Sequence, residues 1–163
     1  VALTDALTAL QELPFAVAIT EGAVLFPWIE TLHVIALVLV VGTISVVDLR
    51  LIGVSAHHKS IRHLTQEVLP ITWIAFTVAV ISGFLLFASN AVTYAENVPF
   101  RIKLVLLALA GLNMLFFHFV THRSIAGWDQ ADRTPAMARL AGYSSLTLWI
   151  AVVFAGRWIG FTL

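Results

Sequence analysis

Four long apolar runs, Trp28 to Val47, Leu69 to Ser89, Leu104 to Val120 and Tyr143 to Leu163, fill most of this 163-residue chain. Each is close to the ~20 residues a helix needs to cross the hydrocarbon core of a bilayer. Inside hydrocarbon every backbone N–H and C=O must find its partner within the protein, and a helix does this within one segment. The runs therefore predict an all-α protein, a bundle of four transmembrane helices with the lipid bilayer as its surroundings. Composition agrees. Hydrophobic residues make up 60% of the chain and mean hydropathy is +0.97, against about 45–50% apolar residues in soluble domains. Formal net charge is zero, which leaves no basic footprint for a nucleic acid. There is no cysteine, so disulfides, thiolate metal sites and covalent haem attachment are excluded, and histidine and carboxylate remain as ligands.

Residues 1–20 read differently from the transmembrane domain, residues 21–163. Leu3, Leu7, Leu10 and Leu13 recur at helical spacing among Thr4, Asp5, Thr8, Gln11 and Glu12. That is the pattern of an amphipathic helix lying in the membrane interface, and Pro14 ends or turns it. No basic stretch leads into a short apolar one here, so a cleavable signal peptide is not expected. Pro27 suits the first turn of span one, and Trp28 the interface level. Gly53 to Glu67 reads as a polar, His-rich loop with some helix, Pro70 as the opening of span two, and Asn90 to Pro99 as a short turn. Span two carries Ser82-Gly83, a small pair where another helix can come close. His122 to Gly142 reads as the longest loop, with Pro135 breaking any continuous helix.

Loop charge sets the orientation. The first and third loops carry Arg50, Lys59, Arg62, Arg123, Arg133 and Arg139, and the opposite side has Arg101 and Lys103. Positive loops stay inside. The expectation is a multi-pass protein of a bacterial cytoplasmic membrane with both termini outside.

Ionisable residues within the runs are the candidate site, because a charge at mid-membrane costs at least ~2.5 kcal/mol. At a rise of about 1.5 Å per residue, His33 lies roughly 10 Å below the outer end of span one, and Arg157 reaches a similar level on span four. Glu30 is one turn above His33 on the same face. Glu30, His33 and Arg157 thus make an outer-leaflet cluster, with Ser82 at about that height. It suits a haem ligand, a proton-coupled quinol pocket, or a Glu30–Arg157 ion pair joining spans one and four. On the inner side, His118 and His122 are four residues apart near the end of span three, and His57, His58 and His63 lie in the first loop. Neutral imidazole binds haem iron and several other metals. His118 is deep enough to be an axial ligand of a non-covalent haem b, and His63, just before span two, is the expected second ligand. His33 lies roughly 17 Å from the His118 level, so it would serve a different haem. Arg101 and Lys103 could meet haem propionates or lipid headgroups.

Several stretches carry a family resemblance: Trp28-Ile29-Glu30-Thr31-Leu32-His33, Asp48-Leu49-Arg50-Leu51-Ile52-Gly53, Phe100-Arg101-Ile102-Lys103-Leu104, Gly111-Leu112-Asn113 with Phe117-His118, and Gly156-Arg157-Trp158-Ile159. They resemble a bacterial family of small, largely uncharacterised four-helix membrane proteins. The chain is also loosely similar to four-helix di-haem cytochromes b and to copper-resistance membrane proteins, which place histidines on bundle helices. The two histidine pairs at two levels that mark the di-haem cytochromes are missing here.

The expected function is an integral membrane subunit that transfers electrons through a b-type haem or a bound quinone within a larger complex or a homo-oligomer. Phe116, Phe117, Trp73 and Trp149 are available to pack a macrocycle. Two alternatives stand beside it: a cofactor-free structural or assembly subunit, and a histidine-based metal-handling membrane protein.

Overall fold

The computed structural model describes residues 2–54, 60–117, 119 and 134–162. Among them run seven α-helices and no strand: α1 (Ala2–Gln11), α2 (Pro14–Glu21), α3 (Leu25–Leu51), α4 (Ile61–Ser89), α5 (Ala91–Glu96), α6 (Val98–Phe116) and α7 (Ala136–Thr162). Four of these, α3, α4, α6 and α7, are long and apolar enough to cross a membrane. Their outward faces are apolar as well. Trp28 is 69% exposed, Ile74 68% and Phe154 67%. A soluble monomer rarely presents large contiguous apolar patches, whereas lipid tails suit such a surface.

The packing order of the spans is α4–α3–α7–α6. Helix α3 lies along both α4 and α7, and α6 lies along α7. At the two ends of the order, α4 and α6 have no extended packing against each other. Small and large side chains interlock at mid-span: Val40 of α3, Ala75 of α4, Ala110 of α6, and Trp149 and Val152 of α7 form one buried cluster. Alanine at two of these positions lets the helix axes approach, as in other membrane bundles.

The N-terminal turn falls at Pro14, as the sequence predicts, and two other boundaries depart from expectation. The N-terminal segment is two helices set at 66°, because Pro14 occupies the first turn of α2, where its missing N–H breaks no bond. Pro70 lies inside α4 rather than at its start. The start is set earlier, by Ser60, whose side chain accepts the His63 N–H at 3.2 Å; Pro70 then costs one backbone hydrogen bond within an otherwise strong helix. Finally, α7 begins directly after Pro135, so residues 136–142 are helical and not loop. Ala138, Ala141 and Gly142 are buried there. A Cβ on Gly142 would sit 3.1 Å from Leu51 Cβ and 3.2 Å from the Asp48 carbonyl, so this glycine allows α3 and α7 to close. Asp48 is buried at the same contact, with a hydrogen bond to Ser145 and no partner for Oδ2 among the described residues.

The opposite end of the bundle is tied by polar bonds between the short helices and the spans. Thr20 Oγ1 donates to the Ser89 carbonyl at 2.7 Å, and the Val92 N–H donates to Gln11 Oε1 at 3.1 Å. Asn97 caps α6 by accepting the Phe100 N–H at 2.9 Å. Its Nδ2 donates to Thr162 Oγ1 at 2.9 Å, which fixes the start of α6 to the end of α7.

Candidate functional site

Beside these ties, where α3 and α6 begin and α4 and α7 end, lies a cavity of about 790 Å³. Small-molecule sites commonly fall between roughly 300 and 1,000 Å³. Five polar side chains line it: Glu30 and His33 from α3, Tyr94 from α5, Lys103 from α6 and Arg157 from α7. The candidate trio Glu30, His33 and Arg157 therefore borders one space, with Lys103 on the same wall.

His33 is the most constrained of them. Its Nδ1 is 3.0 Å from Ser82 Oγ. Ser82 Oγ donates its own proton to the Val78 carbonyl at 2.6 Å, so it accepts from Nδ1–H. The Ala79 backbone is a second hydrogen-bond partner of the ring; with the proton on Nδ1, the neutral ring keeps its lone pair on Nε2. Gly83 makes the approach possible, since a Cβ there would lie 2.9 Å from His33 Cε1. The Ser82-Gly83 pair thus grips the ring from both sides, one residue by a hydrogen bond and the next by the absence of a side chain.

The charged residues do not pair off. No direct ion pair joins Glu30 and Arg157. The Arg157 guanidinium instead lies over the Phe161 ring, 4.9 Å from its centroid, a cation–π contact that holds the charge in an apolar region. Lys103 is half-buried and runs across Gly156, where a Cβ would be 3.6 Å from Nζ. Lys103 and Arg157 thus bring two basic side chains to the cavity wall, against the single carboxyl group of Glu30. Burial pushes the Tyr94 phenol above its ordinary value, and the nearby Glu30 carboxylate adds to that shift.

An aromatic wall completes this end. Phe87 and Phe100 stack at 5.4 Å between centroids with planes 5° apart, and Tyr94 lies 5.7 Å from Phe100. All three line the cavity. The space can accept a flat aromatic group whose polar substituents reach Nε2 of His33, the Glu30 carboxylate and the two cations.

Other sequence candidates stand elsewhere. His63 is exposed at the start of α4, with Nε2 3.2 Å from Glu67 Oε1 one turn along. Its expected partner His118, and His57, His58 and His122, lie outside the described residues. Arg101 is exposed, and its Nε donates to the Ala95 carbonyl at 2.6 Å, bracing the α5–α6 turn rather than lining the cavity. Among the described residues no three His, Asp or Glu side chains come together as a metal-binding group.

Sequence reasoning missed Tyr94 and the Phe87–Phe100 stack. The available signal was a tyrosine in the short segment between spans two and three, at the level of Glu30, followed closely by Phe100.

Residues 11–162 match the model of one protein family, described as Family of unknown function (DUF6644). No curated protein and no solved structure matches the chain.

Proposed function

We propose that this chain, which belongs to the DUF6644 family of unknown function, is a membrane subunit that binds a quinol or quinone and takes part in electron transfer within a larger complex. One observation carries this reading. Glu30, His33, Lys103, Arg157 and an aromatic wall converge on a single cavity of about 790 Å³ within the bundle. Polar groups at membrane depth mark functional paths more often than structural ones.

The chemistry suits the residues. A quinol hydroxyl would donate to Nε2 of His33, and oxidation would release two protons and two electrons. His33 and Glu30 would take the protons, as positioned bases within hydrogen-bond reach do. The electrons would pass to a redox centre on a partner subunit. Lys103 and Tyr94 would donate to the second oxygen, and the Phe87–Phe100 stack would face the ring. The setting would be a bacterial cytoplasmic membrane with both termini outside, in keeping with the loop charges.

A b-type haem is the second reading, and one observation favours it. The bond from Nδ1 to Ser82 leaves Nε2 of His33 as a free ligand, the way outer-shell partners orient metal-bound histidines. Lys103 and Arg157 would then meet propionates. The pairing of His118 with His63 remains a separate inner-haem proposal.

Organic extraction of the purified protein, followed by chromatography, tests the first reading, and a reduced-minus-oxidised visible spectrum tests the second. A stoichiometric lipophilic quinone without a haem band supports the quinol site. A haem band that His33→Ala abolishes moves the assignment to haem at His33. Neither quinone nor haem leaves the structural-subunit alternative.

A further inference from the structure

The cavity is polar at one end only. From Phe26 to Gly42 it follows α3 for about 24 Å at a helical rise of ~1.5 Å per residue. Glu30, His33, Tyr94, Lys103 and Arg157 occupy the first part. Beyond His33 the lining is wholly apolar: Leu37, Val38, Val41 and Gly42 of α3 face Val152 and Val153 of α7. This deep part points toward mid-span, where the bundle core of Val40 and Trp149 begins. Gly42 itself is open, and a Cβ there would meet nothing within 4 Å.

We infer that the ligand is an amphiphile whose headgroup binds among Glu30, His33, Lys103 and Arg157 and whose long apolar tail lies in the Leu37–Gly42 trough of α3. The inference rests on the cavity being a ligand site, as proposed above, but not on the ligand being a quinone. A compact polar ligand would leave the deep apolar part unfilled, and a tail without a head would leave unpaired Lys103 and the carboxylate of Glu30 facing hydrocarbon. A tail of this kind also fits the surroundings. Apart from the Phe87–Phe100 stack at one end, α4 and α6 have no extended packing against each other, which leaves a side of the bundle through which a lipid-soluble molecule can pass from the bilayer. His33 and Gly42 are about 13 Å apart along α3, so only a chain of many carbons reaches both. The absent side chain of Gly42 gives the tail its room, and Gly42 is therefore the position that sets tail length. Two sources share this chemistry, a prenyl-tailed quinone and an anionic lipid such as a fatty acid.

The test is equilibrium binding to the full chain in lipid nanodiscs, with decyl-benzoquinone, benzoquinone without the tail, and palmitate as probes. Wild type is compared with Gly42→Leu for each probe, so that partition into the disc cancels. A Cβ at Gly42 enters open space, and Gly42→Leu extends from there into the trough; Gly42→Ala is a milder variant of the same sign. Gly111→Leu is the control, since Gly111 is equally open and lies outside the cavity lining. The expected result is a loss of at least fivefold for the tailed probes with Gly42→Leu, no change for tailless benzoquinone, and no change with Gly111→Leu. An equal loss for tailless benzoquinone, or no loss for the tailed probes, overturns the inference. If palmitate alone binds and responds to Gly42→Leu, the tail trough stands and the quinone reading falls. If both quinones bind with no response to Gly42→Leu, the quinone reading stands and the trough falls. If no probe binds wild type, both fall.

Discussion

His33 and Ser82 are locked together across the α3–α4 contact at 3.0 Å, and the direction of their bond is set by a third group, the Val78 carbonyl that receives the Ser82 proton. A serine in mid-helix often returns its hydroxyl to the backbone one turn earlier. Here that habit makes it an acceptor for the histidine and leaves Nε2 of His33 as the basic nitrogen.

Removing Ser82 should therefore change His33 before it changes the fold. In Ser82→Ala the ring loses its hydroxyl partner and keeps only the Ala79 backbone beside it, so it is freer to carry its proton on Nε2. Nitrogen NMR of ring-labelled protein should report Nδ1–H in wild type and a shift toward Nε2–H in the variant. The stability cost should be about 1–3 kcal/mol, that of a half-buried donor left unsatisfied. An Nε2–H tautomer in wild type rules out the arrangement.

Gly83→Ala should be destabilising because of His33 and for no other reason visible at that position. The new methyl would sit 2.9 Å from Cε1 of the ring, and overpacking of this kind typically costs about 1–3 kcal/mol. In a His33→Ala background the same change should cost much less. A double-mutant cycle by denaturant titration in detergent measures the coupling, and additive costs would show that the ring and the glycine do not meet.

How much of this was legible in the sequence differs by residue. Glu30, His33 and Arg157 fall at one level by counting helix rise, and all three border the cavity. Counting rise does not give rotation about the helix axis. Arg157 and Glu30 share a depth, yet the guanidinium turns onto Phe161 instead of pairing with the carboxylate. The Ser82-Gly83 pair announced a close helix approach, but not that the approaching group is an imidazole. Tyr94 escaped because α5 is a six-residue helix in what reads as a turn, and its ring finds Phe100 only after the chain folds back. Pro70 misled because a proline reads as a boundary, whereas the Ser60 cap and the apolar face beyond it carry α4 through the break.

The Tyr94 phenol should respond to the charge at Glu30. Burial and the Glu30 carboxylate both hold the Tyr94 phenol above its ordinary value. Glu30→Gln removes the negative charge, so phenolate should form at lower pH than in wild type. Ultraviolet titration in detergent, with Tyr94→Phe to identify the signal, checks the sign. A Tyr94 transition that Glu30→Gln leaves in place would separate the two groups.

Orientation can be read directly. The loop charges predict that the α5 end of the bundle faces outward and the start of α4 inward. Both Glu96 and Arg62 are exposed. In a chain without native cysteine, Glu96→Cys should react with an impermeant maleimide in intact cells and Arg62→Cys only after lysis. The reverse pattern would place the cavity on the cytoplasmic side.

The most direct measurement is a binding titration of decyl-benzoquinone against the protein in nanodiscs, for wild type, His33→Ala and Lys103→Ala. Saturable binding at one site per chain is the expected result. Each substitution should weaken it at least tenfold, about 1.4 kcal/mol, with circular dichroism showing an unchanged helical fold. Binding that is equally tight in all three proteins, or absent from a folded wild type, would contradict it.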